Sequence, residues 1–295
     1  MTNEIYGIDY LRRRLADKQT RVLLRYKYYE MKNNAQDFSS LAPEKFKGLK
    51  ETVGWCAKAV DSLADRLQFD EFQNDEFNLS EIFLSNNQDI LIDSAVLSAL
   101  ISACSFVYIR EDNGYPRLQV IDGSNATGII DPVTNLLTEG YAVLERDSMG
   151  VVKTEAYFMA GMTEIYSHGV LVQRIPNAAP YALLVPIIYR PDAKRPFGHS
   201  RISRACIAYT QTALRTIKRS EVSAEFYSFP QKYVLGLSED AEFNNRLATI
   251  SSFLNFTKDG DGDHPIVGQF QQQSMTPYTE QLRTLASLFA GETGL

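Results

Sequence analysis

Between residues 201 and 219 the chain carries five cationic side chains and no acidic one, although its formal net charge is -6. They are Arg201, Arg204, Arg215, Lys218 and Arg219. Such a run has one direct use, since guanidinium and ammonium groups neutralise phosphates without reading base sequence. On a helix, the spacing from Arg204 to Arg215 is about three turns, so the two project to nearby sides. Lys218 and Arg219 follow within the next turn. The bland alternative is an amphipathic helix whose charged side is simply solvated. Ile202, Cys206, Tyr209, Ala213, Leu214, Ile217 and Phe226 form a separate apolar face in either case.

Other chemistry is sparse. The three histidines, His168, His199 and His264, are scattered and fit no HExxH pattern. There is no GxSxG elbow and no GxxxxGK[ST] loop, so the common hydrolase and nucleotide-triphosphatase signals are missing. Asp259, Asp261 and Asp263 in DGDGDHP alternate like the first ligands of a calcium loop. Glycines sit between the acids, however, and Phe270 stands where such a loop needs a bidentate Glu, so a charged surface loop is the better reading. No catalytic, metal or cofactor-binding residue is expected. Cys56, Cys104 and Cys206 lie far apart and form neither a disulfide framework nor a zinc pattern. They are expected to be small buried hydrophobes in a reducing setting.

The N-terminus lacks an apolar signal core, and Asp93 with several serines interrupts the apolar run 90–107. Neither stretch suits secretion or a membrane span, and the chain is expected in the cytoplasm. An acidic protein rich in aromatics, with sixteen Tyr and sixteen Phe, should build a globular core rather than wrap nucleic acid over its whole surface.

The elements that must carry these residues fall into three groups. Helical periodicity covers about 10–31, a stretch opened by Pro43 and running to about 69, and about 88–104. Alternating runs follow from about 105 to 190, beginning with a hairpin around Asn113-Gly114. No crossover helix interrupts them, so the sheet should be antiparallel, and a Rossmann-type parallel sheet is excluded. The basic helix then runs from about 199 to 229 between Pro196 and Pro230. It is followed by a strand at QKYVLGL, a short helix, the acidic loop, a strand at IVGQF and a last helix with Thr276 at its N-cap.

Three stretches in order, 26–72, 196–236 and 267–295, resemble the portal proteins of tailed bacteriophages, of the siphophage type. The first holds a tyrosine motif, a linker, Gly54-Trp55 and a helix ending in DSLADRL. The second is PFGHSRISRACIAYTQTALRTIKRSEVSAEFYSFPQKYVLG, and the third is VGQFQQQSMTPYTEQLRTLASLFAGETGL. The resemblance implies an α+β fold in four parts. Residues 1–198 would form a wing of helices followed by an antiparallel β-rich unit. Residues 199–229 would be the first stem helix, 230–273 a small αβ clip and 276–295 the second stem helix, truncated before the tunnel loop and crown.

The resemblance also implies a function. The chain would assemble into a dodecamer-like ring at the capsid vertex, within the virion and, during assembly, the host cytoplasm. Double-stranded DNA would pass through without sequence-specific contact. The large terminase subunit, a head–tail adaptor, and capsid and scaffolding proteins would be its partners. Arg201, Arg204, Arg215, Lys218 and Arg219 would then face the DNA channel or pair between subunits, with at least one of the last three pairing between subunits. Two other readings stay open on the residues alone. One is a non-catalytic nucleic-acid-binding module using the basic helix 201–219. The other is an enzyme with a β-rich core and an unrecognised carboxylate site, which would need buried, strongly perturbed carboxylates clustered in a deep pocket. The portal reading predicts two helical rods side by side and antiparallel, joined at their far tips by a compact cap.

Overall fold

The computed structural model describes residues 5–33, 51–228, 232–235, 266–269 and 274–295. The chain divides into two compact units. The first takes in the residues up to Asn33, Val53–Ala208 and Ala290–Leu295. It begins with helix α1 (Ile8–Tyr29), followed by α2 (Trp55–Ala64), α3 (Leu79–Ser85) and α4 (Gln88–Ser102).

Eight strands follow: β1 (Cys104–Asp112), β2 (Tyr115–Ile121), β3 (Ala126–Ile130), β4 (Leu137–Arg146), β5 (Val152–Met159), β6 (Met162–Ser167), β7 (Val170–Pro176) and β8 (Leu184–Ile188). They make two antiparallel sheets, one in the order β2-β1-β8 and the other β3-β4-β5-β6-β7. The α+β class and the antiparallel pairing expected from the sequence are both present. In the β1–β2 hairpin, Asn113 and Gly114 both take positive φ (54° and 80°), as a primed turn requires.

Alternation along the strands, with register shifts in β4 and β7, gives the five-stranded sheet two working faces. One face, with Ala126, Leu137, Ala142, Ala156 and Phe158, packs with Phe106, Tyr108, Ile121 and Leu184 of the smaller sheet to form the main core. The opposite face presents Tyr141, Val143 and Tyr157 to Leu11 and Leu15 of α1. Strand β2 is capped along one stretch by the Asn86 side chain. Asn86 donates to the Pro116 carbonyl (3.0 Å) and accepts from the Leu118 amide (3.0 Å).

The second unit includes α5 (Arg204–Ser228) from Tyr209 onward, the antiparallel pair β9 (Lys232–Leu235) and β10 (Ile266–Gln269), and α6 (Thr276–Thr293) as far as Phe289. Ala213 and Leu214 of α5 are fully buried. The Ser223 and Tyr278 hydroxyls meet at 2.8 Å.

Three expectations need correction. The helix after Pro43 is shorter than its pattern: residues 51–54 are not helical, α2 begins at Trp55, and it ends at Ala64. Helix α3 was not foreseen; at seven residues it is too short to show periodicity, and it is held by the Asp75 carboxylate accepting from the Leu79 and Ser80 amides. Thr276 is the first helical residue of α6, and the hydroxyl that accepts its amide belongs to Ser274. The short helix expected after β9, the acidic loop 259–265 and Phe270 lie outside the described residues, as do residues 34–50.

Candidate functional site

The approach to the basic helix is built backwards from the end of α4. A helix leaves its last carbonyls without partners, and here the segment 200–201 supplies them. The Ser200 hydroxyl donates to the Ile101 carbonyl (2.6 Å), and the Arg201 amide donates to Leu100 (2.8 Å). Just before this, Gly198 takes φ +74°, and a Cβ there would lie 2.2 Å from the Tyr189 carbonyl oxygen. Only glycine fits that turn.

Arg201 precedes α5 rather than belonging to it. Its guanidinium is half-buried and donates to the Ala59 carbonyl of α2 (3.2 Å) and to the Thr293 carbonyl at the end of α6. The C-terminal end of a helix carries partial negative charge, so a cation seated on Thr293 is favourably placed. Beside it, the Ser203 hydroxyl donates to the Glu292 carboxylate (2.8 Å).

The remaining cations lie on α5 itself. Arg204, Arg215 and Arg219 are exposed. Arg215 reaches the Thr212 hydroxyl, three residues back on its own helix, at 3.3 Å. Lys218 differs: it is only 2% exposed, and it is engaged rather than free. The five cations named from the sequence are therefore in three states, one clamped, one buried and three open to solvent. Of the apolar face, Ile202, Cys206, Ala213 and Leu214 are buried, while Tyr209 and Ile217 are half-buried. The Phe226 side chain lies outside the described residues.

A second polar cluster sits in the loop leading to Gly198. The His199 ring meets the Asp192 carboxylate through Nε2 at 2.5 Å and the Arg195 guanidinium through Nδ1 at 3.3 Å. The hydrogen bond from His199, then those from the Arg195 and Lys194 amides, hold Asp192 below the usual carboxylate range. His168 occupies a turn at φ 50°, and its ring meets the Ser167 hydroxyl.

Sequence reasoning did not find the buried carboxylates of the five-stranded sheet. Glu139, Glu155 and Glu164 are each under a tenth exposed, on the face that receives α1. Each accepts a tyrosine hydroxyl: Tyr157 on Glu139 (2.5 Å), Tyr141 on Glu155, and Tyr166 on Glu164 (2.7 Å). Arg12 of α1 pairs with Glu155, and Arg174 with Glu164 at 2.9 Å. Glu139 takes the amides of Tyr6 and Gly7, both at 2.9 Å, at the start of α1. Gly7 has no side chain to cap that helix, so a carboxylate more than a hundred residues away does it. The signal in the sequence was alternation of Glu and Tyr on one face of neighbouring strands.

These carboxylates are buried, and their hydrogen-bonding capacity is already committed. Every one has a donor, and burial is the main cause that raises the pKa of Tyr141 and Tyr157, with the carboxylate bond next. Tyr166 is pushed up to about 12, for the same causes in the same order. Among the described residues, no group of three His, Cys, Asp or Glu could hold a metal ion. Cys56, Cys104 and Cys206 are all buried, and no disulfide joins them. Among the described residues, no helix is long and apolar enough to cross a membrane.

Comparison with known proteins adds the remaining observation. No family model matches the chain. A portal protein from Mycobacterium phage L5 aligns over 293 residues at 22% identity, across 91% of this chain. The chain is similar to a phage portal protein. The alignment runs through both units, in agreement with the three collinear stretches read from the sequence. The chain spans 60% of the length of that portal protein.

Proposed function

We propose that this chain is a subunit of a tailed-phage portal, a ring at the capsid vertex through which double-stranded DNA is packaged and later ejected. The observation that carries the reading is the similarity to a portal protein along 91% of the chain. In this reading residues 1–198 form the wing, 199–229 and 276–295 the stem helices and 230–273 the clip. The clip meets the large terminase subunit and then a head–tail adaptor, and capsid and scaffolding proteins surround the ring. The role is structural rather than catalytic.

Two contacts support paired, antiparallel stem helices. Ser203, at the start of α5, bonds Glu292 near the end of α6, and Ser223, late in α5, bonds Tyr278 early in α6. The exposed Arg204, Arg215 and Arg219 are the side chains available to a passing phosphate backbone or to a neighbouring subunit. Repeated around an axis, they would form a dilute basic band in an otherwise acidic assembly. Contact of that kind is weak, non-specific and salt-sensitive, which lets a polymer slide. Arg201 and Lys218, tied within the fold, would hold the helix rather than touch DNA.

Native mass spectrometry and negative-stain imaging of the purified chain test the reading. A closed ring of uniform stoichiometry is expected. A chain that stays monomeric and retains duplex DNA through Arg215 and Arg219 would favour the nucleic-acid-binding module instead.

A further inference from the structure

The first unit is electrically lopsided in a way that its own contacts do not resolve. From 67 to 109 the chain has seven acidic residues and no Lys, Arg or His. Asp75 is used to hold α3. Asp70, Glu71, Glu76, Glu81, Asp89 and Asp93 are exposed, and none has a basic partner among the described residues. Large apolar side chains stand among them: Phe77 is 78% exposed, Ile90 71% and Leu84 66%.

Helix α1 has the opposite character, with seven cations and two acids. Arg12, Lys18 and Arg25 are spent on Glu155, the Ala126 carbonyl and the Ser102 carbonyl. Arg13, Arg21 and Lys27 remain exposed and without an ionic partner among the described residues. They stand beside exposed Tyr10, Leu23 and Leu24. Two surfaces of one molecule are thus apolar, bare and opposite in charge.

We infer that the acidic surface around Phe77, Leu84 and Ile90 docks on the exposed face of α1 in a second copy of the chain. The inference rests on the ring reading and gives it a specific interface. Different patches meeting head to tail generate rings when the rotation closes. Complementary charge steers the encounter and sets its register, while the apolar side chains supply the burial. Duplex DNA is the lesser candidate for α1, because the exposed Leu23 and Leu24 offer nothing to a phosphate backbone.

Charge reversal tests this on the full chain. Arg13→Glu with Arg21→Glu alters one face, and Glu76→Lys with Asp93→Lys alters the other. All four sites are exposed, and circular dichroism should show each variant folded. Each pair is expected to lower the assembled fraction about tenfold by mass photometry, and all four together to restore it. Hydrogen exchange should protect residues 70–93 and α1 in assembled wild type relative to monomer. Undiminished rings from both variants would overturn the interface while leaving the ring intact. A wild-type chain that never assembles overturns the ring reading and the interface with it. Loss of duplex-DNA retention in the α1 variant, with assembly unchanged, would make α1 a nucleic-acid surface and sink the proposal.

Discussion

Helices α1 and α5 are both long, amphipathic and basic, and they commit different shares of their cations to the fold. On α1, Arg12 reaches a buried carboxylate, Lys18 a strand carbonyl under two phenylalanine rings, and Arg25 the end of α4. On α5, Arg204, Arg215 and Arg219 point to solvent. A count of charges does not separate the two cases. What separates them is the surface each helix meets: on α1 a buried carboxylate and two carbonyls take up Arg12, Lys18 and Arg25 while Arg13, Arg21 and Lys27 stay exposed, whereas on α5 only Lys218 is buried and all three arginines stay exposed.

The sharpest way to break this contrast is the same substitution on each helix. Arg12→Ala leaves Glu155 buried without its cation and should cost about 3–5 kcal/mol in chemical denaturation. Arg215→Ala should change stability by no more than about 0.5 kcal/mol. Equal effects would end the distinction.

Arg201 lies between these extremes. Arg201→Ala removes donors from two carbonyls, one of them at a helix end, and should cost about 1–3 kcal/mol. If its effect matches Arg215→Ala, the clamp on Ala59 and Thr293 contributes nothing.

The tyrosine–carboxylate face gives a pH signature that α5 lacks. A tyrosine held protonated in the fold contributes stability that is whole below pH 10, its ordinary value. That contribution is lost as pH rises toward about 12, where Tyr166 titrates. Melting temperature should therefore fall over that window as tyrosinate absorbance rises, and Tyr166→Phe should shrink the fall. A flat profile would show that the hydrogen bonds to Glu139, Glu155 and Glu164 are not maintained in solution.

The smallest effect on stability belongs to α5. Arg215→Gln with Arg219→Gln should leave the melting temperature nearly unchanged. Whatever duplex DNA the assembled protein retains should become less sensitive to salt, by about one unit of logarithmic slope for each lost cation.

Much of this architecture was legible beforehand, for reasons that can be named. The antiparallel strands announced themselves through alternation and through Asn113-Gly114, and β3 spans Ala126–Ile130 as its pattern indicated. Long helices such as α4 and α6 showed their period. Arg201 and Lys218 could not be told from Arg215 by type or spacing. The fate of Arg201 depends on the remote carbonyls of Ala59 and Thr293, and Lys218 is buried and engaged. The carboxylate face was hidden for the same reason, since Glu on a strand normally marks the solvent side, and only the docking of α1 inverts that rule.

The cap on β2 has a consequence in time. Asn86 faces two carbonyls, Ile82 and Pro116, with the same amide nitrogen. Deamidation would replace that nitrogen with a negatively charged oxygen directed at both acceptors. Attraction would become repulsion at the junction of α3, α4 and the hairpin. A Gln or Ser at this position would not reproduce its reach.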